Sequence, residues 1–223
     1  VVVLSEQGYD LPFAKWTCYD AGLHSACVIR WPGKVKPGSS TKALVEYTDI
    51  VPTFLEAAGR PRPETLDGRS FLPVLTGKAE SHREFAYAQE TSKGIINGPV
   101  HYGIRSIRGE RYRYIRNLTP DVAFKNAVTP GKVFQSWIRA GAKGNERAAK
   151  LAKDFQHRPA EELYDCEADP WNRNNLIEDA SLAPVIADLK QRLDSWMKSQ
   201  GDEGQATEEK ALTRMPKFKD GGE

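Results

Sequence analysis

The chain has 223 residues, 39% of them hydrophobic and 28% charged, enough to bury a core as one large domain or two small ones. With 32 Lys and Arg against 30 Asp and Glu, the formal charge of +2 is too small to define a binder of nucleic acid or acidic membrane. No apolar run approaches the roughly 20 residues that span a bilayer, and the first residues lack the basic-then-apolar layout of a signal peptide.

Val1 to Leu4 is a continuous, mostly β-branched run of the kind that forms a strand buried on both faces of a parallel sheet, and Ala26 to Trp31 offers a second. Thr48 to Ala58 predicts a helix capped by Thr48 or Asp49, with Pro52 in its first turn and Gly59 at its end. Pro61 to Ser81 is rich in Pro, Gly and charge and predicts a connecting loop. Phe85 to Glu90, Gly103 to Arg108 and Arg111 to Arg116 alternate like strands, with Gly109-Glu110 suited to a hairpin turn, so a small antiparallel sheet is expected. Two helical segments follow around Phe134 and Leu151, separated by Gly141 and Gly144. The strongest helix runs from Leu182 to Gln200, with Leu182, Ile186, Leu189, Leu193, Trp196 and Met197 on one stripe, Ser181 as cap and Gly201 as stop, and it is expected to cover the sheet. The expected organisation is 1–80, an α/β portion; 81–200, an α+β portion; and 201–223, a polar flexible tail. A buried strand at residue 1 would need neighbours, which suggests a C-terminal portion of a longer chain.

Candidate chemistry gathers after the first strand. In open α/β sheets ligands collect at the carboxyl ends of strands, and Ser5-Glu6-Gln7-Gly8 stands there. Glu6 and Gln7 offer hard oxygens that suit Ca²⁺ or Mg²⁺, and equally a solvated loop. Lys15, set among Phe13, Ala14 and Trp16, reads either as an oxyanion ligand in a partly dry pocket or as a surface lysine with its stem over Trp16. His24 titrates near neutrality or is simply hydrogen-bonded. Arg111, Arg113 and Arg116, alternating with tyrosines, read as a solvated sheet face. Arg105 and Arg108 read either as sheet-face residues or, with Trp16 and Arg116, as contacts to an anionic ligand. Cys18, Cys27 and Cys166 have no CxxC spacing and support neither a disulfide scaffold nor a zinc site.

The ordered succession SEQG, PFAKW, YDAGLHSACVIRWPGKVKPGS, TDIVPTFLEAAG, LDGRSFLPVL, RYRYIRN and ELYDCEADPWNRNNL resembles the C-terminal part of sulfatases, similar to the bacterial heparan N-sulfatase-like and arylsulfatase-like branches. The resemblance runs from residue 1 to about residue 198. It implies an alkaline-phosphatase-like α/β fold, and hydrolysis of a sulfate ester or N-sulfate with a formylglycine nucleophile and one Ca²⁺. It also implies a sulfated carbohydrate or small sulfate ester as partner and a periplasmic or secreted location.

By the same resemblance Glu6 and Gln7 match metal ligands, although the family pattern is one carbon shorter, Asp followed by Asn or His. Lys15 matches a lysine that binds a sulfate oxygen, and His24 lies where relatives carry Arg near the substrate. The Cys-x-Pro-x-Arg or Ser-x-Pro-x-Arg segment that yields formylglycine is absent from these residues, so the chain by itself is expected to be inactive. The alternatives are a phosphonate monoester or phosphodiester hydrolase of the same superfamily, or a non-catalytic module that binds sulfated glycans.

Overall fold

A computed structural model describes residues 1–6, 8–91 and 101–214. Along the chain run β1 (Val2–Leu4), α1 (Asp20–Leu23), β2 (Cys27–Ile29), α2 (Ile50–Ala57), α3 (Leu72–Leu75), β3 (Ala86–Thr91), β4 (Gly103–Arg108), β5 (Tyr112–Asn117), α4 (Lys132–Ala142), α5 (Glu146–Gln156), β6 (Glu161–Asp165), α6 (Ala183–Ser199), α7 (Gln205–Glu209) and α8 (Ala211–Arg214). They divide between two compact units, one of Val1–Glu6, Ser25–Ala86 and Arg108–Arg111, the other of Gln7–His24, Tyr87–Ile107 and Tyr112–Glu223.

In the first unit β1 and β2 form where the β-branched runs predict, but as an antiparallel ribbon with Val3 opposite Val28. These two side chains are 59% and 62% exposed, so the expected parallel strand buried on both faces is corrected. Composition sets a residue's preference for extended backbone, while pairing direction and cover come from the elements around it. α2 carries Pro52 in its first turn and ends at Gly59, whose φ of 67° is left-handed. There the Arg60 amide donates to the Leu55 carbonyl (2.8 Å) and the Gly59 amide to Glu56 (2.9 Å), the paired bonds that satisfy the last free carbonyls of a helix.

Asp49 does not cap α2 with its side chain, contrary to the sequence expectation, because its carboxylate is engaged elsewhere. Fully buried, it accepts from the Glu46 amide (2.9 Å), the Arg69 amide (2.9 Å) and Arg83 Nε (2.8 Å), with a second bond from Arg83 Nη2 and with His82 Nε2 at 3.1 Å. Burial disfavours its charge, but the bonds from Arg83, Arg69 and Glu46 outweigh this and hold the carboxyl below its usual range. Gly68 has to be glycine, since a Cβ there would lie 1.9 Å from the Thr48 carbonyl oxygen. The segment expected as plain loop therefore wraps a buried carboxylate and includes the short α3.

The second unit is built on a four-stranded sheet of order β3-β4-β5-β6. The three-residue connection between β4 and β5 is the expected tight turn, which only antiparallel neighbours allow. β6, antiparallel to β5 with Tyr114 opposite Leu163, was not among the expected strands. Three of its five residues are acidic, which hides the alternation, yet Glu162 is 1% exposed because Tyr19, Tyr164 and Asn117 all donate to it. α4 and α5 form the excursion from β5 to β6 and pack on each other. Gly141 permits this, as a Cβ there would lie 2.9 Å from Ala149 Cα.

Phe13, Tyr19, Tyr102, Ile104, Ile115, Phe124, Phe134, Phe155 and Tyr164 make the core, each large apolar side chain adding about 1.5–3 kcal/mol on burial. α6 covers β5 as expected, burying Leu189, Leu193 and Met197 and stacking Trp196 on Tyr87 at 4.9 Å. Its entry turn is capped by Asp179, whose carboxylate accepts the Ser181 amide (2.9 Å). That Asp is the N-cap and not Ser181 reflects the 3₁₀ turn at Ala180–Leu182, which shifts the start upstream.

Residues 201–214, expected to begin a flexible tail, form α7 and α8. They are fastened by charge. Arg105, 2% exposed, pairs with Asp202 (2.5 Å) and Glu208 (2.7 Å), and Thr91 Oγ1 donates to Glu208 (2.5 Å). Arg105 is thus a buried ion-pair residue of the sheet, which leaves it unable to reach a sulfated sugar. Among the described residues no helix is long and apolar enough to cross a membrane.

Candidate anion-binding loop

The loop before α1 carries Lys15. Gly8, at φ 71°, lets the backbone of Lys15 come close: a Cβ on Gly8 would lie 2.8 Å from the Lys15 nitrogen. Gly22 does the same from α1, where a Cβ would lie 2.4 Å from the Ala14 carbonyl oxygen. Between them Leu11 and Lys15 both donate to the Tyr9 carbonyl (2.6 and 3.3 Å), and Thr17 Oγ1 donates to Ala14 (2.6 Å). Phe13 and Trp16 adopt left-handed backbone, φ 64° and 60°, which costs an aromatic residue about 1–3 kcal/mol each.

Packing holds that strain in place. The Phe13 ring lies 5.1 Å from Phe155 and 5.5 Å from Tyr19, with the Arg173 guanidinium 3.3 Å over its face. Lys15, half-buried, sets its ammonium 5.2 Å from the Trp16 ring centre. A cation at this distance from an indole ring is attracted by the ring's quadrupole.

Three distant segments grip the residues just after Lys15. Arg113 donates to the Cys18 carbonyl (3.2 Å) and to Asp20 Oδ1 (3.0 Å). The Asp20 amide donates to Asn172 Oδ1 (2.6 Å). Tyr19 donates its hydroxyl to Glu162 (2.9 Å). Arg113 is 4% exposed, which corrects the reading of Arg111, Arg113 and Arg116 as one solvated face. Glu162 and Asn172 are not among the sequence candidates, and the available signal for them is the segment ELYDCEADPWN.

The remaining candidates are Glu6, Gln7 and His24. Glu6 is exposed just past β1 in the first unit, and Gln7 lies outside the described residues. His24 caps the end of α1 with an 80% exposed side chain, Nδ1 3.4 Å from Asp20. The resemblance implies calcium and formylglycine, and of its metal ligands Glu6 stands among the residues described. No group of three His, Cys, Asp or Glu among them could hold a metal, and Glu6 is a single carboxylate where Ca²⁺ takes six to eight oxygens. Cys18 and Cys166 are buried and Cys27 is exposed, and burial pushes the Cys18 thiol up to about 12.

Known proteins give this arrangement its context. The family model described as N-sulphoglucosamine sulphohydrolase, C-terminal, matches residues 6–124. An ulvan-active sulfatase of Formosa agariphila is 37% identical over 188 residues, covering 84% of this chain and 36% of its own length. The chain therefore spans about a third of the curated relatives it matches. A protein solved in complex with its substrate D-glucosamine-2-N,6-O-disulfate superposes at a TM-score of 0.55, with 22% identity over 82% of this chain and 30% of that one. A phosphonate monoester hydrolase from Silicibacter pomeroyi also reaches 0.55, with 22% identity over 85% of this chain and 32% of that one. The shared fold is the alkaline-phosphatase-like one. The chain belongs to the sulfatase family, and it is the C-terminal part of that family that it matches.

Proposed function

We propose that the protein acts as a sulfuric ester hydrolase that releases sulfate from a sulfated carbohydrate, O-linked or N-linked. The observation that carries the reading is the family match over residues 6–124, which includes the whole Lys15 loop. The relatives' own names support a sugar substrate, since an ulvan-active sulfatase and an N-acetylglucosamine-6-O-sulfatase are among them.

In this reading Lys15 binds a sulfate oxygen. Its ammonium, held beside Trp16, opposes the negative charge that collects on the sulfuryl oxygens and the departing oxygen, and a half-buried position strengthens that attraction over one in open water. His24, exposed at the end of α1, is assigned a contact to the sugar. Calcium dependence, with Glu6 and Gln7 among the ligands, and a formylglycine nucleophile belong to the proposal as properties of the intact enzyme. So do its export to the periplasm or beyond, and the assignment of residues 1–80 to a catalytic α/β domain and 81–200 to a C-terminal subdomain.

The test is sulfate release by the full-length enzyme from sulfated glucosamine and galactosamine, against a phosphonate monoester and a phosphodiester. Lys15→Ala should lower kcat/KM by roughly 10²–10³-fold with the thermal transition unchanged, as removal of an oxyanion partner does. Faster turnover of the phosphonate ester, or full activity of Lys15→Ala, would overturn the reading.

A further inference from the structure

We infer that Arg113 is a positioning residue for Lys15: with Asn172 it clamps the strained loop from the inside of the sheet. The inference rests on the sulfatase reading of Lys15 given above.

The argument starts from what Arg113 does with its charge. It sits on the central strand β5, 4% exposed, where a guanidinium is costly to bury and an apolar side chain of similar size would serve stability as well or better. Both of its terminal nitrogens are directed at the loop segment. Nη1 donates to the Cys18 carbonyl at 3.2 Å and lies 3.4 Å from Ser106 Oγ, and Nη2 donates to Asp20 Oδ1 at 3.0 Å. Its Nε, equally buried, has no hydrogen-bond partner among the described residues. An arginine retained for stability alone would be expected to satisfy that donor, because an orphaned buried N–H is itself destabilising. The geometry favours the loop at the expense of the residue.

Asn172 completes the clamp from the opposite side of Asp20. It is 1% exposed and holds φ 53°, a conformation that asparagine tolerates better than most residues. In it Oδ1 accepts the Asp20 amide at 2.6 Å. The chain from Cys18 to Asp20 is thus fixed through one carbonyl, one carboxylate and one amide. Two residues upstream stands Trp16 in left-handed backbone, a state that persists only when its surroundings over-determine it. Released from the clamp, Trp16 can relax to an ordinary φ, and the ammonium of Lys15 moves with it. Displacement of a charged group by about 1 Å from its working position can cost around 100-fold in rate.

The test is a double-mutant cycle in the full-length enzyme, read as kcat/KM for sulfate release. Arg113→Lys keeps the charge and loses the two-pronged reach. In the Lys15 background it should lower kcat/KM by roughly 10- to 100-fold, and in the Lys15→Ala background by less than about two-fold, because the effect passes through the lysine. Equal losses in both backgrounds would mean that Arg113 only supports the fold, and no loss in either would mean that the loop does not need it; each overturns the inference. Asn172→Gly guards against misfolding, since glycine accepts φ 53° while removing the acceptor. It should follow the same pattern, with faster hydrogen exchange at the Asp20 amide. If the unsubstituted enzyme releases no sulfate, the functional reading fails before any variant is made. Exchange at Asp20 in Arg113→Lys then decides the clamp alone: acceleration upholds it and unchanged protection overturns it.

Discussion

Asp49→Asn isolates the buried carboxylate of the first unit with almost no change of shape. In the native protein the Asp49 oxygens accept two bonds from Arg83 and one each from the amides of Arg69 and Glu46. The amide of asparagine keeps one oxygen, turns the other acceptor into a donor aimed at donors, and leaves the Arg83 guanidinium, 14% exposed, to the weaker pairing with Glu46 at 3.4 Å. Breaking a buried pair in this way costs about 3–5 kcal/mol, which for a chain of this size lowers the thermal midpoint by about 6–20 °C. Because the folded carboxyl titrates below its unfolded value near 3.9, its contribution is complete above that value and is lost as the pH falls through the folded pKa. The gap between native and variant midpoints should therefore be constant from about pH 5 to 8 and close on acidification. Differential scanning calorimetry across that range reads both quantities. A midpoint lowered by less than about 2 °C at pH 7, or a gap that widens in acid, would refute the reasoning.

Other consequences are equally open to measurement. Gly22→Ala places a methyl 2.4 Å from the Ala14 carbonyl oxygen and should destabilise by about 1–3 kcal/mol in urea titrations; a neutral effect would mean that the loop yields freely. The double substitution Asp202→Asn with Glu208→Gln strips Arg105 of both counter-charges and should cost about 3–5 kcal/mol, whereas a loose tail would lose nothing. Burial and the nearby Arg69 and Arg83 charges hold His82 below its usual pKa despite Asp49, so its neutral form is the stable one. That stability is full above about pH 6.5 and is lost as the pH falls below it, and His82→Gln should flatten the slope of midpoint against pH between 6.5 and 5. Iodoacetamide at pH 8 should label Cys27 and spare Cys18, whose thiol is pushed up to about 12; labelling of Cys18 in the folded protein would contradict its 1% exposure.

What the sequence discloses follows the physics of each signal. α2 and α6 are readable because apolar residues recur at helical spacing and a glycine in left-handed backbone ends each one. β4 and β5 are readable from alternation around a turn. β6 is not, because its buried face is acidic and its satisfaction comes from Tyr19, about 140 positions away. Arg105 and Arg113 mislead for the same reason. An arginine on a strand reads as solvated until its carboxylate partner is located, and those partners, Asp202, Glu208 and Asp20, lie at the far ends of the chain. Residues 201–214 read as tail because they are poor in apolar side chains, yet what ties them down is ionic. Lys15 draws notice as a charge among apolar and aromatic residues and again through resemblance, whereas its neighbours' left-handed backbone has no sequence signature, since Phe and Trp rarely adopt it.

The interleaving of the two units bears on how the molecule can be taken apart. The chain passes from one to the other at 6/7, 24/25, 86/87, 107/108 and 111/112, so neither unit is a continuous stretch of sequence. A protease that nicks one exposed loop leaves the units joined through the other crossings, and a gene cut anywhere between codons 7 and 111 divides both units. Each unit must also wait for distant segments before it can close, which raises the loop entropy of folding. A swap of one unit between homologues would require several simultaneous splices.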